Sequence, residues 1–313
     1  MKSLNIDKAG NSLLIKKEAL IQGFDYCGIA EAAELHAESR ILDHWLKNSF
    51  HSGLPYMEKN RAKRTDPRLI MEGTKSIIVL AMNYFPGKTI RQNTRYRVAR
   101  YALGDDYHTV LSGKSEKLIS EIQKKLAPYS FMSFVDSAPL MEKAWAVRAG
   151  LGKIGKNGLL IIPDAGSYFS LCIIITDLPL QYDEPFTRDL CGTCNKCITA
   201  CPASAIVSAG IIDAGNCLAA LTIETKNNTD ETTGIKLHNR IFGCDICQEA
   251  CPWNKFARPA TEKGFDPYPF FKKVNDEQWE NMTEEEFNRL FSKSPLKRMN
   301  YKGIMRNIQL NKI

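Results

Sequence analysis

The chain has 313 residues, of which 44% are hydrophobic and 25% charged. This is the balance of an ordinary globular protein with room for a large core, which excludes a disordered chain or a disulfide-stapled miniprotein. A formal charge of +7 favours an anionic partner without requiring one, and the longest apolar runs, 76–82 and 171–175, are too short to cross a bilayer.

In chain order, periodicity predicts a helix over 12–21, a strand over 26–30, a helix over 35–48 and a strand over 77–81. A long amphipathic helix over 107–125 should end near Pro128, followed by a strand over 131–135 and renewed helical periodicity over 140–148. Strands over 159–162 and 168–176 complete a first domain whose boundary falls near residue 180. Alternating strands and helices imply an α/β layer architecture. Cys27 and Cys172 stand in apolar surroundings and read as buried core thiols.

Three stretches of this domain carry polar chemistry. Arg100-Tyr101-Ala-Leu-Gly104-Asp105-Asp106-Tyr107-His108 mixes aromatic and polar residues at a helix start, where Asp106 suits an N-cap. Asp136 ends an apolar strand. By residue chemistry it reads first as a helix N-cap, and alternatively as a buried acid that desolvation keeps protonated. Gly150-x-Gly152-x-x-Gly155 has dinucleotide-loop spacing, but it follows a helix pattern and lacks the matching acidic residue, which makes a nicotinamide site weak. Lys153, Lys156 and Asn157 could instead serve a phosphate or amide-rich ligand beside the glycines, and a plain tight turn is as good a reading.

Eight of the ten cysteines form two blocks, Cys191-x2-Cys194-x2-Cys197-x3-Cys201-Pro202 and Cys217 followed by Cys244-x2-Cys247-x3-Cys251-Pro252. This is the ligand pattern of a bacterial two-cluster ferredoxin, in which the fourth cysteine crosses to the other cube. One [4Fe-4S] cluster is then expected on Cys191, Cys194, Cys197 and Cys251, the other on Cys201, Cys217, Cys244 and Cys247. Structural zinc needs neither the Cys-Pro ending nor the crossing, and clustered thiols without a signal peptide point to a reducing cytoplasm instead of disulfides. The distance from Cys217 to Cys244 embeds the module in the chain. Beyond Pro252, Trp253, Trp279 and an acidic helix start at 283–286 suggest a tail packed on the module. Basic residues crowd at Arg91, Arg95, Arg97 and Arg100, and at Lys293, Lys297, Arg298, Lys302, Arg306 and Lys312, as a phosphate-binding or merely solvated face.

Taken together, Val135-Asp136-Ser137-Ala-Pro139, Gly150 to Asn157, Arg100 to His108, and Ile241-Phe-Gly-Cys-Asp-Ile-Cys-Gln-Glu-Ala-Cys-Pro-Trp-Asn254 resemble the epoxyqueuosine reductase family over nearly the whole chain. The resemblance implies a cobalamin-binding α/β domain like the reductive dehalogenase core (1–180), a two-[4Fe-4S] ferredoxin-like module (181–258) and a C-terminal tail with a basic end (259–313). It implies reduction of epoxyqueuosine to queuosine at the wobble position of tRNA, the last step of queuosine synthesis, with the clusters passing electrons to cobalamin. It moves Asp136 from cap to acid. It also implies corrin contacts among Arg100, Tyr101, Asp106, Tyr107, His108, Asp136, Lys156, Asn157, Ser167, Asn216 and Asp245.

No Asp-x-His-x-x-Gly motif is present, since Leu111 stands where glycine would, in keeping with the family's corrin held without a histidine on cobalt. The implied partners are epoxyqueuosine-bearing tRNA and a low-potential flavodoxin- or ferredoxin-like donor, with a cytoplasmic monomer and no membrane. Many members continue into a helical-repeat domain, whereas this sequence ends soon after Asn307, leaving the RNA grip to its basic stretches. A reductive dehalogenase-like enzyme and a two-cluster electron carrier are the competing readings.

Overall fold

Two apolar runs become the central strands of a four-stranded sheet. The computed structural model describes residues 7–52, 54–87, 93–224 and 236–312. Strands β1 (Tyr26–Glu31), β2 (Ser76–Asn83), β3 (Phe131–Phe134) and β4 (Phe169–Thr176) stand in the order β1-β2-β4-β3, and every neighbouring pair is antiparallel. Helix α1 (Lys8–Ile21) precedes β1, and helices α2 (His36–Lys47), α3 (Tyr107–Leu126) and α4 (Glu142–Arg148) lie between successive strands.

Both faces of the sheet are covered, so β2 and β4 read as continuous apolar runs. Successive side chains point to opposite faces. Ile78, Leu80, Met82 and Ile174 pack with Ile15 and Ala19 of α1 and with Leu111, Leu118 and Ile122 of α3. Ile77, Val79, Ala81, Ile173 and Ile175 pack with Leu35 and with Ala144 and Trp145 of α4. Each such side chain contributes about 1.5–3 kcal/mol on burial, so the register, with Val79 opposite Ile173, is strongly specified. Cys172 is buried and Cys27 is partly buried against the same layer, and desolvation pushes both thiols up to about 12.

Asp106 caps α3, its Oδ1 accepting the His108 N–H at 3.0 Å. Asp136 caps nothing. Helix α4 begins at Glu142 after Met141, and the Pro139 turn separates it from Asp136, which corrects the cap reading. The glycine-rich stretch is a hairpin in which Lys153 and Ile154 pair with Ile161 and Leu160. A Cβ on Gly152 would stand 2.1 Å from the Ile161 carbonyl oxygen, so glycine is required there by close backbone approach.

The cysteine-rich segment folds around a small hairpin, Ile206–Ser208 with Ile211–Ile212, and two short helices, Lys196–Ala200 and Ile246–Glu249, that pack together. It is sewn to the first domain. Trp45 Nε1 donates to the Ile212 carbonyl at 2.7 Å, Ala214 N to Phe50 O at 2.8 Å, and Arg240–Phe242 pairs in parallel with Arg97–Val98.

The tail forms a third core. Phe271, Trp279, Phe287, Phe291, Ile304 and Ile308 gather around Tyr96, Val98 and Leu103 from the first half of the chain and Ile241 and Phe242 from the module. Thr283 and Glu286 close a capping box at the start of Glu284–Phe291, where the acidic run predicted a helix. Among the described residues no helix is long and apolar enough to cross a membrane.

Candidate active site

Asp136 leaves the end of β3 through buried Val135 and adopts a left-handed conformation, φ +50°. Aspartate tolerates this region better than most residues but still needs support. Its N–H donates to Glu142 Oε1 at 2.8 Å, and the Tyr107 hydroxyl donates to its Oδ2 at 2.9 Å. His108 Nε2 lies 3.9 Å from the same oxygen, while its Nδ1 meets Asp106 Oδ1 at 2.7 Å. The Asp136 side chain is 56% exposed, so the buried acid expected from sequence is instead a carboxyl open to solvent.

The groups around it hold protons. Burial first, then the charge of Asp136, push the Tyr107 phenol upward, which keeps it a donor. The hydrogen bond to Asp106 raises His108 against the opposing effect of burial. Glu142 is pushed up to about 8, chiefly by burial and next by the Asp136 charge. Lys143 donates to the Gly158 carbonyl at 2.8 Å. Lys143 is exposed; desolvation by its surroundings lowers its ammonium, while Glu142, Asp136 and Cys247 pull it back up. One lysine thus feels both the candidate acid and a cysteine of the module.

Tyr101 forms the neighbouring wall, its ring 5.9 Å from Tyr107, 6.4 Å from Tyr84 and 6.1 Å from Phe242. Desolvation raises its phenol, helped by the charges of Asp245 and Asp136 on either side. Asp245 accepts the Arg100 N–H at 2.7 Å, and burial pushes its carboxyl up to about 6. Arg100 pairs with Glu249 at 2.9 Å, and its Nε is buried without a partner among the described residues.

Other sequence candidates stand elsewhere. Lys156 donates to the Gly192 carbonyl at 2.8 Å and to Asn195 Oδ1 at 2.9 Å, and Asn157 donates to the Cys247 carbonyl at 3.2 Å. Ser167 N donates to Asn254 Oδ1 at 2.8 Å, and its carbonyl accepts from Gln248 Nε2 at 2.9 Å. These three form the seam between the first domain and the module. Asn216 is exposed and donates to Asp213.

Sequence reasoning missed Glu142, Lys143, Tyr56 and Arg64, and offered Arg298 only as part of the C-terminal basic stretch. The charge of Asp136 acts on the last three, which places them on its side of the cleft. Arg64 donates to the Tyr56 carbonyl at 3.1 Å and Arg298 pairs with Glu224 at 2.6 Å. An acid at the start of the helix after Asp136 was a usable signal for Glu142, but nothing local marks Arg64. Much of the expected basic footprint is internally neutralised: Arg95 pairs with Asp276 and Glu280, and Lys312 with Glu280. Lys293, Lys297 and Lys302 are exposed, and Arg91 lies outside the described residues.

The eight clustered cysteines are free thiols of intermediate exposure. Burial, then opposing backbone hydrogen bonding, then the charges of Cys191, Cys197 and Cys194 set the thiol of Cys251, which is raised. Cys247 is pushed up to about 12 by burial and then by Cys244, Cys217, Cys201 and Cys197. Each thiol thus has its own circle of neighbours, with Cys197 felt by both. Among the described residues no three His, Cys, Asp or Glu side chains converge as they would on a single metal ion.

A two-block cysteine module joined to a cleft that holds an acid defines an iron–sulfur oxidoreductase. A family model described as 4Fe-4S double cluster binding domain matches residues 190–254, and one described as epoxyqueuosine reductase QueG matches 64–137. The chain is 43% identical over 300 residues to the epoxyqueuosine reductase of Cyclobacterium marinum, covering 96% of each. It is 38% identical to that of Pseudomonas aeruginosa, covering 91% of this chain and 80% of the relative. It superposes with a TM-score of 0.87 on a crystal structure of epoxyqueuosine reductase with an epoxyqueuosine-modified tRNA-Tyr stem loop, at 31% identity and covering 96% of this chain and 80% of that one. A Bacillus subtilis epoxyqueuosine reductase, with its catalytic aspartate loop swung out of the active site, gives 0.85 at 31% identity and the same coverage. The chain belongs to the epoxyqueuosine reductase family.

Proposed function

We propose that this chain reduces epoxyqueuosine to queuosine at the wobble position of tRNA, completing queuosine synthesis, with electrons entering through two [4Fe-4S] clusters and cobalamin bound in the cleft. The observation that carries the reading is that Lys143 lies within reach of the charges of both Asp136 and Cys247. Proton source and electron source then border one space. Cys191, Cys194, Cys197 and Cys251 would hold one cluster, and Cys201, Cys217, Cys244 and Cys247 the other, a crossed arrangement supported by the grouping of their thiols.

The cleft residues suit a flat macrocycle edged with amides: Tyr101 and Tyr107 offer aromatic walls, while Lys143 and the unpartnered Arg100 Nε offer donors near its rim. Cobalamin, when bound, would supply the reducing chemistry needed at the epoxide. The protein positions the substrate and supplies protons. Asp136 donates to the opening oxygen, Tyr107 and His108 fix which of its oxygens faces inward, and Glu142 holds its backbone. Removal of the epoxide oxygen as water takes two electrons and two protons, so the acid must be recharged once per turnover.

Residues 1–180 would cradle cofactor and substrate base, 181–258 would carry electrons, and 259–313 would brace the module. Arg64 and Arg298 near the acid, with Lys293, Lys297 and Lys302 outside, would meet tRNA phosphates. A flavodoxin- or ferredoxin-like donor and a monomeric, cytoplasmic protein complete the reading. Anaerobic incubation of reconstituted protein with epoxyqueuosine-containing tRNA and a low-potential reductant, with and without cobalamin, tests it by nucleoside mass spectrometry. Cobalamin-dependent loss of one oxygen is expected, and absence of conversion by protein carrying both clusters and corrin would overturn it.

A further inference from the structure

We infer that Glu142 is a positioning residue that latches the Asp136 turn into the cleft, through its Oε1 accepting the Asp136 backbone N–H. The inference rests on the proposed role of Asp136 as the acid. Asp136 is held at φ +50° between the end of β3 and Pro139, a conformation that a non-glycine residue keeps only when its surroundings demand it. Two contacts restrain it at opposite ends: the Tyr107 hydroxyl on the carboxylate at 2.9 Å, and Glu142 on the backbone at 2.8 Å. The Tyr107 contact fixes the side chain, whereas among the described residues the Glu142 contact holds the peptide N–H that decides whether the turn faces inward.

Glu142 is well placed for this. It is the first residue of α4, and that helix is anchored through Trp145, which is 0% exposed beneath the sheet. The latch therefore grows from a rigid element and reaches back across the turn. An acid in a first helical turn ordinarily serves the helix dipole; here the side chain reaches back to a residue before the helix. In the Bacillus subtilis relative the catalytic aspartate loop is seen swung out. Such a loop needs a catch, and an acceptor on the next helix is one. Because burial keeps Glu142 largely protonated near neutrality, its carbonyl oxygen is the accepting atom, and a glutamine offers the same acceptor.

The test uses full-length Glu142→Ala and Glu142→Gln proteins, each reconstituted with clusters and cobalamin. Hydrogen exchange of the peptide spanning 135–141 is read without RNA, and kcat and KM are read with epoxyqueuosine-containing tRNA. Glu142→Ala should exchange about tenfold faster in that peptide and lose about tenfold or more in kcat at nearly unchanged KM, the effect of losing one hydrogen bond plus misplacement of the acid. Glu142→Gln should restore both to within about threefold of the parent. Wild-type exchange in the alanine protein, or a glutamine protein as impaired as alanine, would overturn the latch. If the parent protein fails to convert epoxyqueuosine, the reaction reading falls while the exchange comparison still decides the latch.

Discussion

The Tyr107 hydroxyl donates to Asp136 Oδ2 at 2.9 Å, tying the first turn of α3 to the turn that follows β3. The two elements are consecutive in the chain, and the contact closes the path from the start of α3 to the end of β3. A hydrogen bond to a charged group is worth about 1.5–3 kcal/mol. Tyr107→Phe should therefore lower kcat by about tenfold to a hundredfold, with cobalamin and iron content unchanged. Anaerobic single-turnover kinetics would read this directly, and an undiminished rate would show that His108 alone suffices to orient the acid.

Asp136→Asn keeps the shape of the side chain and removes its proton. It should retain both clusters and the corrin spectrum but lose about 10²–10⁴-fold in turnover, the usual contribution of a positioned acid. Activity within a few-fold of the parent would reassign the proton to His108 or solvent.

Lys156 joins the glycine-rich hairpin to the loop after Cys191. Lys156→Ala should loosen that loop, so that iron is released to a chelator faster than from the parent while the first-domain core stays intact. Time courses of chelator-bound iron check this, and identical release rates would reduce Lys156 to a surface contact.

Glu142 has a folded-state value of about 8 against an ordinary 4.5, so between these limits the folded protein binds more protons than the unfolded chain. Stability must then fall as pH rises through that window and level off above it. Glu142→Gln lacks the slope. The parent should lose apparent Tm relative to this variant from about pH 5 to pH 8, in the cluster-loaded proteins, and parallel pH profiles would contradict the buried acid.

Exposed Lys297 and Lys302 offer two charges to RNA. Binding of a tRNA anticodon stem loop should weaken steeply with salt, and replacing both lysines by alanine should reduce the log–log slope by about 0.7–0.9 for each phosphate left without its lysine. Titrations at several salt concentrations decide it; an unchanged slope would move the RNA contact to Arg64 and Arg298.

Much of this protein is legible before folding is considered. The runs that form β2 and β4, the amphipathic α3 and its Asp106 cap, and the cysteine blocks are local patterns, and locality is what sequence records. Asp136 stood out because it ended a strand, but its exposure and left-handed turn did not, since both depend on what packs around it. Lys156, Asn157 and Ser167 were named as corrin contacts by the family resemblance. In the fold they face the module, which no spacing encodes. Arg64 and Arg298 are 234 positions apart in the 313-residue chain, so only tertiary structure could bring both toward Asp136. The antiparallel sheet was equally hidden, because alternating strands and helices fix the layers but not the direction of pairing.

The seam of Asn157, Ser167, Gln248 and Asn254 has a consequence for timing. A buried network of this kind, with Ser167 held by both Gln248 and Asn254, resists sliding. In the proposed reaction the path from iron to the cleft is then cast in one piece, with no docking step between internal reduction and bond breaking. If a soluble one-electron donor feeds the clusters, as proposed, the adjustable event would lie outside the molecule, and supply of that donor, more than motion within the chain, would set the pace at which modified tRNA is finished.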